Sequence, residues 1–143
     1  MKLLITSILV SLFWLTTSNE DKGTLTIELS GIKNNNGYIL VALHDGSSDF
    51  PDGEGFKTIS VEAERGSLQI EIEDVPAGEY AIALMHDENA NDEFDMDSNG
   101  MPLEGWGFSN NPEPAMGPAS WSEAAFDFEG DESISIDMIY LNF

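Results

Sequence analysis

Thr24-Leu25-Thr26-Ile27-Glu28-Leu29-Ser30 places an apolar side chain at every second position. Successive side chains of an extended chain point to opposite faces, so a period of two gives one dry face and one wet face. The stretch therefore predicts a strand buried on one side. The same alternation returns at Leu68, Ile70 and Ile72, set against Gln69, Glu71 and Glu73. Two further runs, Tyr38 to His44 and Tyr80 to His86, are apolar on both faces. They are expected at the centre of a sheet or beneath a covering loop. Ile59 with Val61, Ala125 to Phe128, and Ile134 to Tyr140 complete the set. Asn34-Asn35-Asn36-Gly37, Arg65-Gly66 and Pro76-Ala77-Gly78 are turn signals between them. No stretch carries a helical apolar stripe. The pattern predicts an all-β fold, a seven-stranded antiparallel β-sandwich of immunoglobulin-like or transthyretin-like type, with one long ordered loop from Asp87 to Pro118. A closed barrel is the alternative.

Residues 1–18 read differently. Lys2 is followed by an apolar run from Leu3 to Leu15, then by the small residues Thr16-Thr17-Ser18. That order is the pattern of a secretory signal peptide, and the run is shorter than the roughly 20 residues of a membrane span. Residues 19–143 are then expected as a single β-sandwich domain, exported to the periplasm or the extracellular space, with no membrane span after cleavage. The chain has no cysteine. Disulfide staples, thiol metal sites and a cysteine lipid anchor are therefore excluded.

Charge narrows the partners. The chain carries 27 acidic side chains against 5 basic ones, a net charge of −22. Nucleic acid and anionic membranes require basic patches, so neither is an expected partner. Such a chain repels itself when compact, and bound cations or high salt would relieve that repulsion. A monomer is expected, engaging an unknown protein or glycan.

The acids are not evenly spread. In Asp87-Glu88-Asn89-Ala90-Asn91-Asp92-Glu93-Phe94-Asp95, oxygen-bearing side chains fall at the first, third, fifth and ninth positions: Asp87, Asn89, Asn91 and Asp95. Glu93 stands at the seventh, where calcium loops use a backbone carbonyl. Calcium takes six to eight hard oxygen ligands, and a tightly curled loop turns alternate side chains toward one point. Phe94 would anchor the loop to the core. The loop departs from an EF-hand at Asp92, where glycine makes the sharp turn, and at Ser98, where a bidentate glutamate would stand. Asp97 and Glu104 are the nearest acids able to complete a coordination sphere. The alternative is a solvated acidic turn.

Other candidates are weaker. His44 and His86 each end a strand and precede an aspartate, so neighbouring strands could bring two imidazoles and two carboxylates together for zinc or copper. Capping of the strand ends is the simpler reading. Trp106, Phe108 and Trp121 lie among glycines and prolines. They either hold a long loop onto the sandwich or form a face for a carbohydrate or small ligand. No nucleophile elbow, zinc-protease helix or phosphate loop occurs, which makes a hydrolase the least favoured reading and leaves a non-enzymatic module.

His86-Asp87-Glu88-Asn89-Ala90-Asn91, Gly100-Met101-Pro102-Leu103-Glu104-Gly105-Trp106-Gly107-Phe108-Ser109-Asn110-Asn111 and Gly117-Pro118 together resemble the bacterial "domain of unknown function 2141" family. Pro76-Ala77-Gly78-Glu79-Tyr80 fits the same pattern. The resemblance implies an exported, sandwich-like domain and no known activity. Where that family often has glycine after the second Asn of the loop, this chain has Asp92.

Overall fold

The computed structural model describes residues 22–46 and 49–141. The proposed signal segment lies outside them. The described chain is all-β apart from one helical turn. In order it runs β1 (Lys22–Ile32), β2 (Tyr38–His44), β3 (Lys57–Glu62), β4 (Gly66–Pro76), β5 (Gly78–Asp87), β6 (Gly105–Phe108), α1 (Trp121–Ala124), β7 (Phe126–Phe128) and β8 (Glu132–Asp137). Among the described residues no helix is long and apolar enough to cross a membrane.

Two sheets form a sandwich-like pair of layers. One has the order β4-β1-β8, the other β3-β2-β5-β6, with β7 also pairing β5. Leu25, Ile27 and Leu29 of β1 join Ile70, Ile72 and Val75 of β4 and Ile136 of β8 as one buried face. Ile39, Val41 and Leu43 of β2 join Tyr80, Ile82 and Leu84 of β5 as the other, and all belong to one core cluster with Phe128. Each fully buried Leu or Ile contributes about 1.5–3 kcal/mol. The alternation of the sequence thus does what period two requires. The two doubly apolar runs, β2 and β5, pair with each other at the centre of their sheet.

Three expectations are corrected. The described residues hold eight strands, one more than expected. The addition is β6, Gly105-Trp106-Gly107-Phe108, whose glycines hide any apolar alternation. Those glycines answer to crowding. A Cβ on Gly105 would run into the Tyr140 ring, and one on Gly107 would lie 3.0 Å from the Ile136 side chain. The sandwich is also not wholly antiparallel, because β8 runs parallel to β1, Ile27 beside Ile134 and Leu29 beside Ile136. A parallel neighbour needs a crossover, and here the chain passes through the whole second sheet between β1 and β8. Finally, Ile134 to Tyr140 is not one strand. After Asp137 the Met138 N–H still bonds Ser30, but Ile139 exchanges backbone bonds with Trp106 of β6. The chain end therefore stitches the two sheets together along one side.

Ser109 fills the one break in the β5 ladder. The β6 strand pairs with Ala83 to His86 and β7 with Gly78 to Tyr80, leaving Ala81 and Ile82 between them. Ser109 Oγ accepts the Ile82 N–H at 2.8 Å and donates to the Ala124 carbonyl at 2.6 Å, while the Ser109 N–H bonds the Ile82 carbonyl at 3.1 Å. Asn110 Nδ2 donates to the Glu123 and Ala125 carbonyls, and Asn111 bridges Ser135 and Asp137 of β8.

Replacing Gly105 by Ala forces a methyl group into the Tyr140 ring. It should destabilise the domain by about 1–3 kcal/mol, as overpacking in a close-packed interior does. A urea midpoint equal to that of the unaltered protein would show that the ring has room to move.

Candidate functional site

The β5 strand ends on Asp87, which is fully buried although it is an acid. Its carboxylate folds the following loop around itself. Oδ1 accepts the Asn91 N–H at 3.1 Å and Oδ2 accepts the Asp92 N–H at 2.9 Å. Two further side chain to backbone turns are nested inside. Asn89 Oδ1 accepts the Asn91 N–H, and Asn91 Oδ1 accepts the Glu93 N–H at 2.9 Å. The curl needs left-handed backbone at Ala90, φ 58°, and at Asp92, φ 60°. Aspartate enters that region more readily than most residues, so Asp92 makes the turn without glycine.

Asn89, Asn91 and Asp95 converge. Asn89 Nδ2 lies 2.6 Å from Asp95 Oδ2, and Asn91 Nδ2 lies 3.3 Å from both Asp95 oxygens. Glu93 is exposed, and its backbone rather than its side chain belongs to the curl. Phe94 is half-buried and packs edge-on against Trp106, with ring centroids 6.3 Å apart. It is the anchor expected of it.

Glu104, the residue before β6, ties the loop to the sheet. It is only 5% exposed. Oε1 accepts the Glu88 N–H at 2.9 Å and Oε2 accepts the Asp95 N–H at 3.2 Å. One carboxylate thereby ties the first and last turns of the loop to β6. Burial pushes the Glu104 carboxyl up. The two N–H bonds pull it back in part, and the charges of Asp95 and Asp87 raise it further. Asp97 takes a different part. Its carboxylate accepts the Asn99 and Met101 N–H groups, and these bonds hold it below the usual carboxylate range. It caps the adjoining turn and makes no bond to the Asp87 loop.

The histidine pair does not form. The β2 and β5 strands are neighbours but antiparallel, so His44 stands opposite Ala81 and His86 opposite Ile39. The two lie at opposite ends of the pair. His86 is committed within the core edge. Its Nε2 lies 2.7 Å from the Asn36 carbonyl, an acceptor only, so Nε2 carries the proton. Nδ1 then accepts the Tyr140 hydroxyl at 2.7 Å. Burial raises the Tyr140 hydroxyl, which keeps it a donor. His44 is buried edge-on against Phe50, with centroids 5.1 Å apart, and burial pushes its imidazole down despite the charge of Asp45. Among the described residues no group of three or more His, Cys, Asp or Glu side chains is placed to hold a metal ion.

The three loop aromatics fall into two groups. Trp106 stands under Phe94, whereas Phe108 and Trp121 both pack against Phe50, at 5.8 Å and 5.9 Å. All three are half-buried. The loop near Phe50 and the turn of α1 are held over the sheet through these contacts.

Residues 27–136 match DUF2141, described as an uncharacterized protein conserved in bacteria. The chain belongs to the DUF2141 family. No curated protein and no solved structure matches it. The segments that carry the DUF2141 resemblance divide by role in the structure. His86, Gly105, Gly107, Ser109, Asn110 and Asn111 hold strands together. Asp87, Asn89, Asn91 and Glu104 build the loop. Sequence reasoning missed Tyr140 and Asn36 as partners of His86, because each lies about 50 residues from it in the chain. It also missed Asn34, whose Nδ2 donates to Glu88 at 2.7 Å.

The raised Glu104 carboxyl has a pH signature in metal-free protein. A group whose folded value lies above its unfolded value contributes stability that is full below the unfolded value and lost as pH rises through the folded one. The stability difference between the unaltered protein and Glu104→Gln should therefore fall as pH rises above the ordinary carboxylate range. Denaturant titrations at stepped pH, with chelator present, read this difference. A difference that grows with pH would contradict the burial argument.

Proposed function

We propose that this protein is an exported, non-enzymatic β-sandwich module that binds calcium in the Asp87 to Asp95 loop. The observation that supports it most is the meeting of Asn89, Asn91 and Asp95 side chains at one point, beside the buried carboxylates of Asp87 and Glu104. Asp87, Asn89, Asn91 and Asp95 would offer side-chain oxygens and Glu93 its carbonyl. Two of these donors are amides and one is backbone, so a hard oxygen site can exist here without a cluster of three acids or histidines. The amides of Asn89 and Asn91 now turn N–H toward Asp95. A half-turn of either amide presents oxygen instead, with the ion replacing that oxygen's bond to the Asn91 or Glu93 N–H. A calcium ion would offset the repulsion between Asp95, Asp87 and the interior Glu104.

The same reading suits the charge. A chain at −22 gains from any bound cation. Calcium would stiffen the loop in a salt-containing compartment outside the cytoplasm, where affinities of extracellular modules fall on the order of 10⁻⁴ to 10⁻³ M. The sandwich, of immunoglobulin-like or transthyretin-like type, would then present the stiffened end to a protein or glycan partner as a monomer.

Calcium titration followed by thermal melting tests this. At calcium about a hundredfold above Kd, linkage contributes about 2.7 kcal/mol, a rise of roughly 5–15 °C for a domain of this size. Magnesium at equal ionic strength should give much less, since it demands a smaller octahedral site. Asp95→Ala, at a half-exposed position, should fold and lose the calcium response. Equal shifts from the two cations, or an undiminished response in Asp95→Ala, would remove the loop from the account.

A further inference from the structure

We infer that a cleft on the outer face of the five-stranded sheet, beside the acidic loop, is a binding site for an alkylammonium group. The cleft has a volume of about 630 Å³ and is lined by Asn35, Gly37, Tyr38, Glu62, Ala63, Glu64 and Ala90. It shares Ala90 with the loop and none of the loop's oxygen donors, so it stands whether or not calcium binds.

The register builds the site. Tyr38 and Glu62 are direct partners across β2 and β3. Directly opposed side chains stand on one face with Cβ atoms roughly 4.5–5.5 Å apart. The apolar members of both strands, Ile39, Val41, Ile59 and Val61, turn inward to the core. Tyr38 and Glu62 therefore turn outward together. Tyr38 is 39% exposed, an aromatic ring left in solvent at the cleft wall. Glu64 lies two residues beyond Glu62, across a chain held in place by the Ala63 N–H on the Gly37 carbonyl at 3.1 Å. Gly37 itself packs so tightly on the Asp87 carbonyl that a Cβ would overlap it, which fixes the cleft floor against β5.

The chemistry of the lining selects the ligand. Two carboxylates and an exposed phenol ring, with no basic side chain among the lining residues, repel anions and favour a cation. Arg65 follows Glu64, but it meets this region through its backbone N–H, which bonds Asn35 Oδ1 at 2.6 Å. A primary ammonium held by the carboxylates over the face of the Tyr38 ring gains both charge-assisted hydrogen bonds and a cation–π contact. Such a group could come from a lysine of a partner protein or from a free polyamine.

Amide NMR titration with spermidine, with Nα-acetyl-lysine methylamide and with its Nε-acetylated form tests the site. The first two should give saturable shifts centred on Tyr38, Glu62, Ala63 and Ala90, and the neutral Nε-acetylated form should not. Tyr38→Leu should weaken binding about two- to fivefold. Glu62→Gln should weaken it comparably, and Glu71→Gln, on the other sheet, should leave it unchanged. All three positions are exposed, and melting curves confirm folding. Tighter spermidine binding points to a polyamine, and equal or tighter lysine binding to a protein partner. Shifts scattered over the acidic surface, or equal losses in Glu71→Gln, would overturn the site in favour of diffuse charge attraction. Equal binding of the Nε-acetylated form would overturn the ammonium chemistry.

Discussion

A single buried carboxylate ties the acidic loop of this molecule to its sheet. Glu104 reaches from the entry of β6 to the backbone N–H groups of Glu88 and Asp95, the two ends of the acidic loop. Hydrogen bonds to a charged acceptor contribute about 1.5–3 kcal/mol each, and leaving those donors buried without a partner costs a similar amount. Against this stands the desolvation of the carboxylate, which is large enough to raise its proton affinity. The balance makes Glu104 a strained staple whose charge a neighbouring cation would relieve. It acts beside Asn91, whose backbone N–H bonds Asp87 and whose amide lies against Asp95, and it adds the tie from both ends of the loop to β6.

The rest of the fold supplies the frame for that staple. The β5 strand is shared by β2, β6 and β7, so it carries Asp87 rigidly at its end. The β6 strand places Glu104, and it can lie close to the core only because Gly105 and Gly107 leave room for Tyr140 and Ile136. Tyr140 in turn holds His86, the residue before Asp87. Core packing, the histidine bond and the loop are thus one continuous arrangement. Phe94 on Trp106 adds an apolar contact from the loop to the same strand.

Much of this frame was legible in the residues. The strict alternation of Leu25, Ile27 and Leu29 and of Leu68, Ile70 and Ile72 placed β1 and β4, because burial on one face demands it. The doubly apolar runs located β2 and β5. The oxygen spacing from Asp87 to Asp95 marked the loop, and Glu104 was among the acids able to close it. What stayed hidden depended on contacts far apart in the chain. The β6 strand has glycines where packing needs space, so it lacks the apolar signal of a strand. The direction of β8 follows from a crossover that no local pattern encodes. Antiparallel pairing separated the two histidines, and only the β2 to β3 register brings Tyr38 beside Glu62.

Whether the acidic loop is a calcium site assembled by the fold is decided by a crystal structure grown with calcium, with anomalous scattering used to locate the ion. One ordered ion is expected among Asp87, Asn89, Asn91, the Glu93 carbonyl and Asp95, with the Asn89 and Asn91 oxygens turned inward. A loop without anomalous density at saturating calcium, its amides still donating to Asp95, would contradict the calcium assignment.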